Sequence, residues 1–186
     1  VAHIHCEEVF GILGENFTFP AKIEGKMVEI IWTKNKDKVV EWEGQNKPTY
    51  FTSLQNRGLL NTENGCLTIF NLEKNDTGTY VLEYMDAVKK SYDLHSYTFI
   101  LTVLDPPSKP EISCNISGDN LVLKCTADFQ KPLNYNWNFS GIPVTRRNEN
   151  FLSLKKNVDA SEKVACVVKF SQTEKSSEIS LTQCLP

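Results

Sequence analysis

Asp76-Thr77-Gly78-Thr79-Tyr80-Val81-Leu82 is the stretch on which the fold turns. Asp and Gly favour a tight turn, and from Gly78 onward Tyr80 and Leu82 alternate with Thr79 and Val81, as a half-buried strand requires. Just upstream, Leu67-Thr-Ile69-Phe-Asn-Leu72 carries the same period of two. Further back, Gly14-Glu-Asn-Phe17-Thr-Phe19-Pro-Ala21 puts Phe17, Phe19 and Ala21 on one face, and Trp32 follows eleven residues later in Val28-Glu-Ile30-Ile-Trp32. Downstream, Tyr97-Thr-Phe99-Ile-Leu101-Thr-Val103-Leu104 aligns Phe99, Leu101 and Val103. These periods predict an all-β chain.

The Asp76–Leu82 stretch resembles the immunoglobulin D-x-G-x-Y-x-C motif, in which a tyrosine corner precedes the second inter-sheet cysteine. The strand-C tryptophan, Trp32, stands at the matching distance. Ala21 and Leu82 occupy the two cysteine positions, so a constraint of about 2–4 kcal/mol has to be replaced by packing beside Trp32. The strand ending at Leu104 runs into Asp105-Pro106-Pro107-Ser108-Lys109-Pro110, whose prolines cannot continue a ladder. The expected domains are therefore 1–104, a variable-type sandwich without the bridge, and 105–186, a constant-2-type sandwich. A chain of 186 residues suits two sandwiches, since one needs roughly 100.

In the second domain, Leu121-Val-Leu123-Lys-Cys125 alternates, Trp137 follows in Tyr135-Asn-Trp137-Asn-Phe139, and Val164-Ala-Cys166-Val-Val168 supplies the second cysteine. The Cys125…Trp137…Cys166 spacing is the immunoglobulin core signature. Val164 stands where the corner tyrosine would be. Pairing Cys125 with Cys166 leaves Cys114 and Cys184, on the first and last strands, to staple a domain too small for burial alone to hold. Cys6 and Cys66 could bridge the first strand of domain 1 to the sheet beneath it, or remain free, or pair between molecules.

A net charge of −3 argues against a nucleic-acid partner, and six spaced cysteines without a CxxC pair point to disulfides in an oxidising compartment and to no metal site. Sequons at Asn16, Asn75, Asn115 and Asn138 agree with the secretory route. No apolar run approaches the roughly 20 residues of a membrane helix, so a cell-surface ectodomain anchored outside this fragment is expected. The three histidines lie outside any triad or G-x-S-x-G context. No catalytic residue, cofactor or small-molecule substrate is expected.

A first domain lacking its bridge, followed by a short domain with two, resembles the signalling lymphocyte activation family over essentially the whole chain. The most specific stretches are Glu29-Ile-Ile-Trp32-Thr-Lys-Asn-Lys36-Asp37-Lys38-Val39, Leu67-Thr-Ile-Phe-Asn-Leu72 and Leu181-Thr-Gln-Cys184-Leu-Pro186. The resemblance implies an adhesion ligand for an immunoglobulin-family receptor on T or natural killer lymphocytes, engaged on an opposing cell through the C-C′-F-G sheet of domain 1. A sister ligand of a natural-killer-cell receptor, or a soluble or viral decoy of the same fold, is the alternative.

The contacts carried over most directly fall on Lys36, Asp37, Lys38, Glu41, Glu43 and Phe51. Glu29, Thr33 and Lys34 join them from strand C, and Glu83, Asp86, Lys89 and Lys90 from strands F and G. With Trp32 inward, Glu29, Ile31 and Thr33 take the outer face. On the next strand Val40 and Trp42 are expected inward, with Val39, Glu41 and Glu43 outward. Thr33 departs from a basic residue expected there and Lys47 from an acidic one. Mixed charge of this kind also simply solvates a sandwich, and Phe51 also suits the core of an edge strand.

Overall fold

The alternating stretches become strands because one side of each is apolar and must be covered by a second sheet. The computed structural model describes residues 4–21, 23, 25–87, 95–144 and 148–185. The chain divides into two compact units, Val1–Asp105 and Pro106–Pro186.

In the first unit the described strands are β1 (Ile4–Ile12), β2 (Phe17–Thr18), β3 (Met27–Lys34), β4 (Asp37–Trp42), β5 (Thr49–Tyr50), β6 (Gly58–Leu60), β7 (Leu67–Ile69), β8 (Gly78–Asp86) and β9 (Ser96–Leu104). One sheet has the order β1-β9-β8-β3-β4-β5 and the other β2-β7-β6. β1 runs parallel to β9, and the remaining pairs are antiparallel. This is a variable-type immunoglobulin sandwich.

An aromatic cluster fills the space left by the missing cystine. Phe19 lies with its ring centroid 5.1 Å from Trp32, 4.7 Å from Tyr80 and 5.4 Å from Phe99. Each such pair contributes about 0.5–1.5 kcal/mol beyond area burial, so three of them match the constraint that a disulfide would supply. Leu82 is fully buried and Ala21 nearly so. The Trp32 indole nitrogen donates to the Gly65 carbonyl at 2.9 Å, which satisfies its one polar atom.

Below the aromatics, the tyrosine corner closes: the Tyr80 hydroxyl donates to the Asp76 carbonyl at 2.6 Å. The Asp76 carboxylate, only 1% exposed, receives both arms of the Arg57 guanidinium at 2.9 Å and the Glu73 backbone N–H at 2.8 Å. Arg57 also donates to the carbonyls of Phe70 and Asn71. One ion pair thus ties the turn before β8 to the segments flanking β6 and β7.

In the second unit the described strands are β10 (Glu111–Ser117), β11 (Asn120–Thr126), β12 (Asn134–Phe139), β13 (Ile142–Pro143), β14 (Phe151–Lys155), β15 (Lys163–Phe170) and β16 (Thr173–Ser180). They form sheets β10-β11-β14 and β13-β12-β15-β16, the constant-2 arrangement. Cys125 and Cys166 bridge the sheets, with Trp137 in the same core. Cys114 on β10 pairs with Cys184, which lies just past β16 in a short 3-10 turn rather than on the last strand.

The bridge between Cys6 and Cys66 does not form. Cys6 is an exposed residue of β1, in the six-stranded sheet. Cys66 precedes β7 in the opposite sheet, and its Sγ donates to the Ala21 carbonyl at 3.3 Å. Its half-buried thiol packs against the core, and this burial pushes its pKa up despite that hydrogen bond. Both cysteines are free.

Candidate partner-binding face

The outer face of the six-stranded sheet is set by what the inner face must bury. Ile30 and Trp32 of β3, Leu82 of β8 and Val40 of β4 point into the core, so their neighbours face away. In register across that outer face lie Ser96, Glu83, Ile31, Glu41 and Thr49, one from each of five strands. At the usual strand spacing this row is about 19 Å long. A second row holds Thr98, Val81, Thr33 and Lys38, and Glu29 pairs with Met85 on the other side.

The turn that presents Lys36 and Asp37 is fixed from below. Asn35 and Lys36 both have positive φ, 49° and 75°, as a two-residue hairpin turn matched to strand twist requires. Asn35 bonds twice to β8: its N–H donates to the Thr79 carbonyl at 2.8 Å, and its side-chain oxygen accepts from the Thr79 N–H at 2.9 Å. Lys36 and Asp37 therefore stand exposed on a rigid tip.

Lys38 is the centre of a small cluster. Its Nζ donates to Glu41 Oε2 at 2.7 Å and lies 5.8 Å from the centroid of the Phe51 ring. Phe51 is half-buried, and its N–H donates to the Val39 carbonyl at 2.8 Å, which holds the ring against β4. An exposed pair such as Lys38–Glu41 adds only about 0–1 kcal/mol to stability, so its charges are free to serve another purpose.

Several sequence expectations change here. Val39 is buried at 1% exposure instead of facing out, because the β3–β4 register shifts between Trp32 and Thr33 and turns two successive valines inward. Trp42 leans on the core only partly, with its indole nitrogen donating to the Asn46 carbonyl at 2.8 Å. Lys34 leaves the outer face altogether. Its neighbour Thr33 faces out, so Lys34 turns to the sheet's lower end, where its amine donates to the Asn75 carbonyl and sits 6.0 Å from the Tyr80 ring centroid.

Glu29, Thr33, Lys38, Glu41 and Glu83 are brought together on the face, with Glu43 exposed beyond the end of β4 and Asp86 half-buried at the end of β8. Lys89 and Lys90 lie outside the described residues. Ile31, which a reading by charge does not single out, belongs to the same face. Its outward parity was legible, but its place between Glu83 and Glu41 required the register. Among the described residues no group of histidines, cysteines and carboxylates could hold a metal ion.

Two immunoglobulin-type sandwiches in one chain, the first presenting an open sheet of mixed charge, define it as a two-domain member of the immunoglobulin superfamily. Residues 3–105 match the family model described as natural killer cell receptor 2B4, and the chain belongs to that family. Human lymphocyte function-associated antigen 3 is 26% identical, the match spanning 100% of this chain and 76% of that protein. Human CD48 antigen is 28% identical over 66% of this chain and 51% of its own length. The solved CD2-binding domain of CD58 has a TM-score of 0.50 and 23% identity, covering 97% of this chain and 99% of that one, a likeness of fold. The resemblance to the signalling lymphocyte activation family holds. These relatives are immunoglobulin-domain proteins of the cell surface, acting as adhesion and receptor molecules. Among the described residues no helix is long and apolar enough to cross a membrane.

Proposed function

We propose that this chain is a cell-surface adhesion ligand that binds an immunoglobulin-family lymphocyte receptor through the outer face of its six-stranded sheet. The observation that carries this reading is the row Ser96–Glu83–Ile31–Glu41–Thr49, an apolar centre flanked by carboxylates, with the Lys38–Phe51 pair beside it. An interface wants an anchor that sheds water and charges that select the partner, and this face offers both. The sequons support the same face. Asn16 precedes β2 of the smaller sheet and Asn75 lies in the turn before β8, both off the outer face of the six-stranded sheet. Within the first unit, glycans at these two positions grow from outside the proposed face. The relatives agree in kind, since CD58 has a CD2-binding domain of this fold.

In this reading each charge meets its opposite on the receptor, which steers the encounter and rejects other partners while desolvation limits affinity. Reversing Lys38 to Glu breaks its contact with Glu41 and sets two carboxylates side by side. The expected result is a loss of receptor affinity of tenfold or more, about 1.4 kcal/mol, without a change in melting temperature. Wild-type binding weakens as salt rises. Lys169→Glu, an exposed change on the second unit, serves as control. Surface plasmon resonance against CD2-type and 2B4-type receptor domains reads the effect, and normal binding by Lys38→Glu would remove this face from consideration.

A further inference from the structure

The outer face of the smaller sheet carries a different signal. Leu59 of β6 is 54% exposed and Phe70, just after β7, is 38% exposed. In register, Leu59 and Thr18 flank Thr68, and the two threonine hydroxyls bond at 2.7 Å. One step beyond the last register pair, Phe17–Ile69, come Asn16 and Phe70. Asn16 is exposed, and its side-chain oxygen accepts the Asn71 backbone N–H at 3.1 Å. That bond pins the carboxamide beside Phe70 through its oxygen, and the nitrogen is the atom a sugar would take.

We propose that Asn16 carries an N-linked glycan whose first sugars lie on Phe70 and Leu59, covering this apolar strip and stiffening a sandwich that has no cystine. Asn16-Phe17-Thr18 is a complete acceptor triplet, and Phe17 is buried, so the sugar-bearing side of the segment faces outward. In the transfer, Asn16 Nδ2 forms a bond to C1 of a lipid-diphosphate-linked oligosaccharide. The C1–O bond to the diphosphate breaks, the lipid diphosphate leaves, and the amide gives up one proton. The C–H face of an N-acetylglucosamine then stacks on the Phe70 ring as another apolar surface would. Leu59 lies two strand spacings from β2, about 10 Å, within the reach of the next sugars.

The test uses the whole chain secreted from mammalian cells. Peptide mass spectrometry after amidase release in heavy-oxygen water reads occupancy at Asn16, which is expected to be near complete. Thermal melts of domain 1 are then compared for wild type, Asn16→Gln, Phe70→Thr and the double variant. Losing the glycan lowers the melting temperature by about 4 °C in the wild-type background and by far less in the Phe70→Thr background. Should Phe70→Thr fold poorly, Leu59→Thr gives the same comparison. An unmodified Asn16, or an equal loss in both backgrounds, overturns the proposal.

Discussion

Replacing Arg57 with Ala is expected to lower the stability of domain 1 by about 3–5 kcal/mol, the range for removing one partner of a buried ion pair. The reason is what remains. Asp76 is 1% exposed, and without the guanidinium its carboxylate would keep only the Glu73 N–H. The loss would also free the carbonyls of Phe70 and Asn71 and loosen the turn that the Tyr80 hydroxyl holds. Arg57→Lys should recover only part of the stability, because an ammonium cannot make both carboxylate bonds at once. Urea denaturation followed by domain 1 tryptophan fluorescence measures the effect. A cost below about 1 kcal/mol would show that the pair is no more than a surface bridge.

Acid should act on the same pair. Burial by itself raises the Asp76 pKa, but the hydrogen bonds from Arg57 and Glu73 and the positive charges of Arg57 and Lys34 outweigh it and hold the pKa below its ordinary value. A carboxylate with a depressed pKa in the folded state stabilises the fold at neutral pH, and that contribution drains away as pH falls below about 4. Domain 1 of the wild type should lose stability in this window more steeply than Asp76→Asn, whose side chain does not titrate.

The fold was legible because immunoglobulin strands announce themselves locally. Phe17 and Phe19, Ile30 and Trp32, Tyr80 and Leu82 alternate within a few residues, and each alternation is a statement about burial that needs no partner to be read. Features that depend on distance across the fold were hidden. The bulge that buries Val39 is a property of the β3–β4 register, and the downward course of Lys34 follows from where β3 ends. Arg57 gave no signal of its own, since its partner Asp76 stands 19 residues away and was noticed only for its place in the turn motif. Cys6 and Cys66 show the same limit from the other side. Nothing in their spacing says that one thiol stands exposed on β1 while the other bonds a carbonyl beneath the opposite sheet.

Reduction should separate the two domains by stability, because they solve the problem of a small core in opposite ways. Among the described residues, the buried cluster of domain 2 comprises Leu121, Leu123, Cys125, Trp137, Leu152, Val164, Cys166, Val168 and Leu181, so the cystine is itself a share of the core. Domain 1 buries Phe17, Phe19, Trp32, Tyr80 and Phe99 in a larger cluster and contains no cystine. The bridges of domain 2 close separations of 41 and 70 residues, and in the chain-entropy account each withholds about 4 kcal/mol from the unfolded state. A domain whose whole stability is on the order of 5–15 kcal/mol cannot lose both and stay folded at body temperature. Mild reductant should cleave Cys114–Cys184 first, since both residues are half-buried, whereas Cys125 and Cys166 are fully enclosed until the domain opens. Hydrogen exchange under stepwise reduction would then show protection falling on β10 and the segment around Cys184, later across all of domain 2, while β3, β8 and β9 keep theirs. Equal loss of protection in both domains would mean that domain 1 depends on domain 2 for its stability, since it has no bridge of its own for the reductant to break.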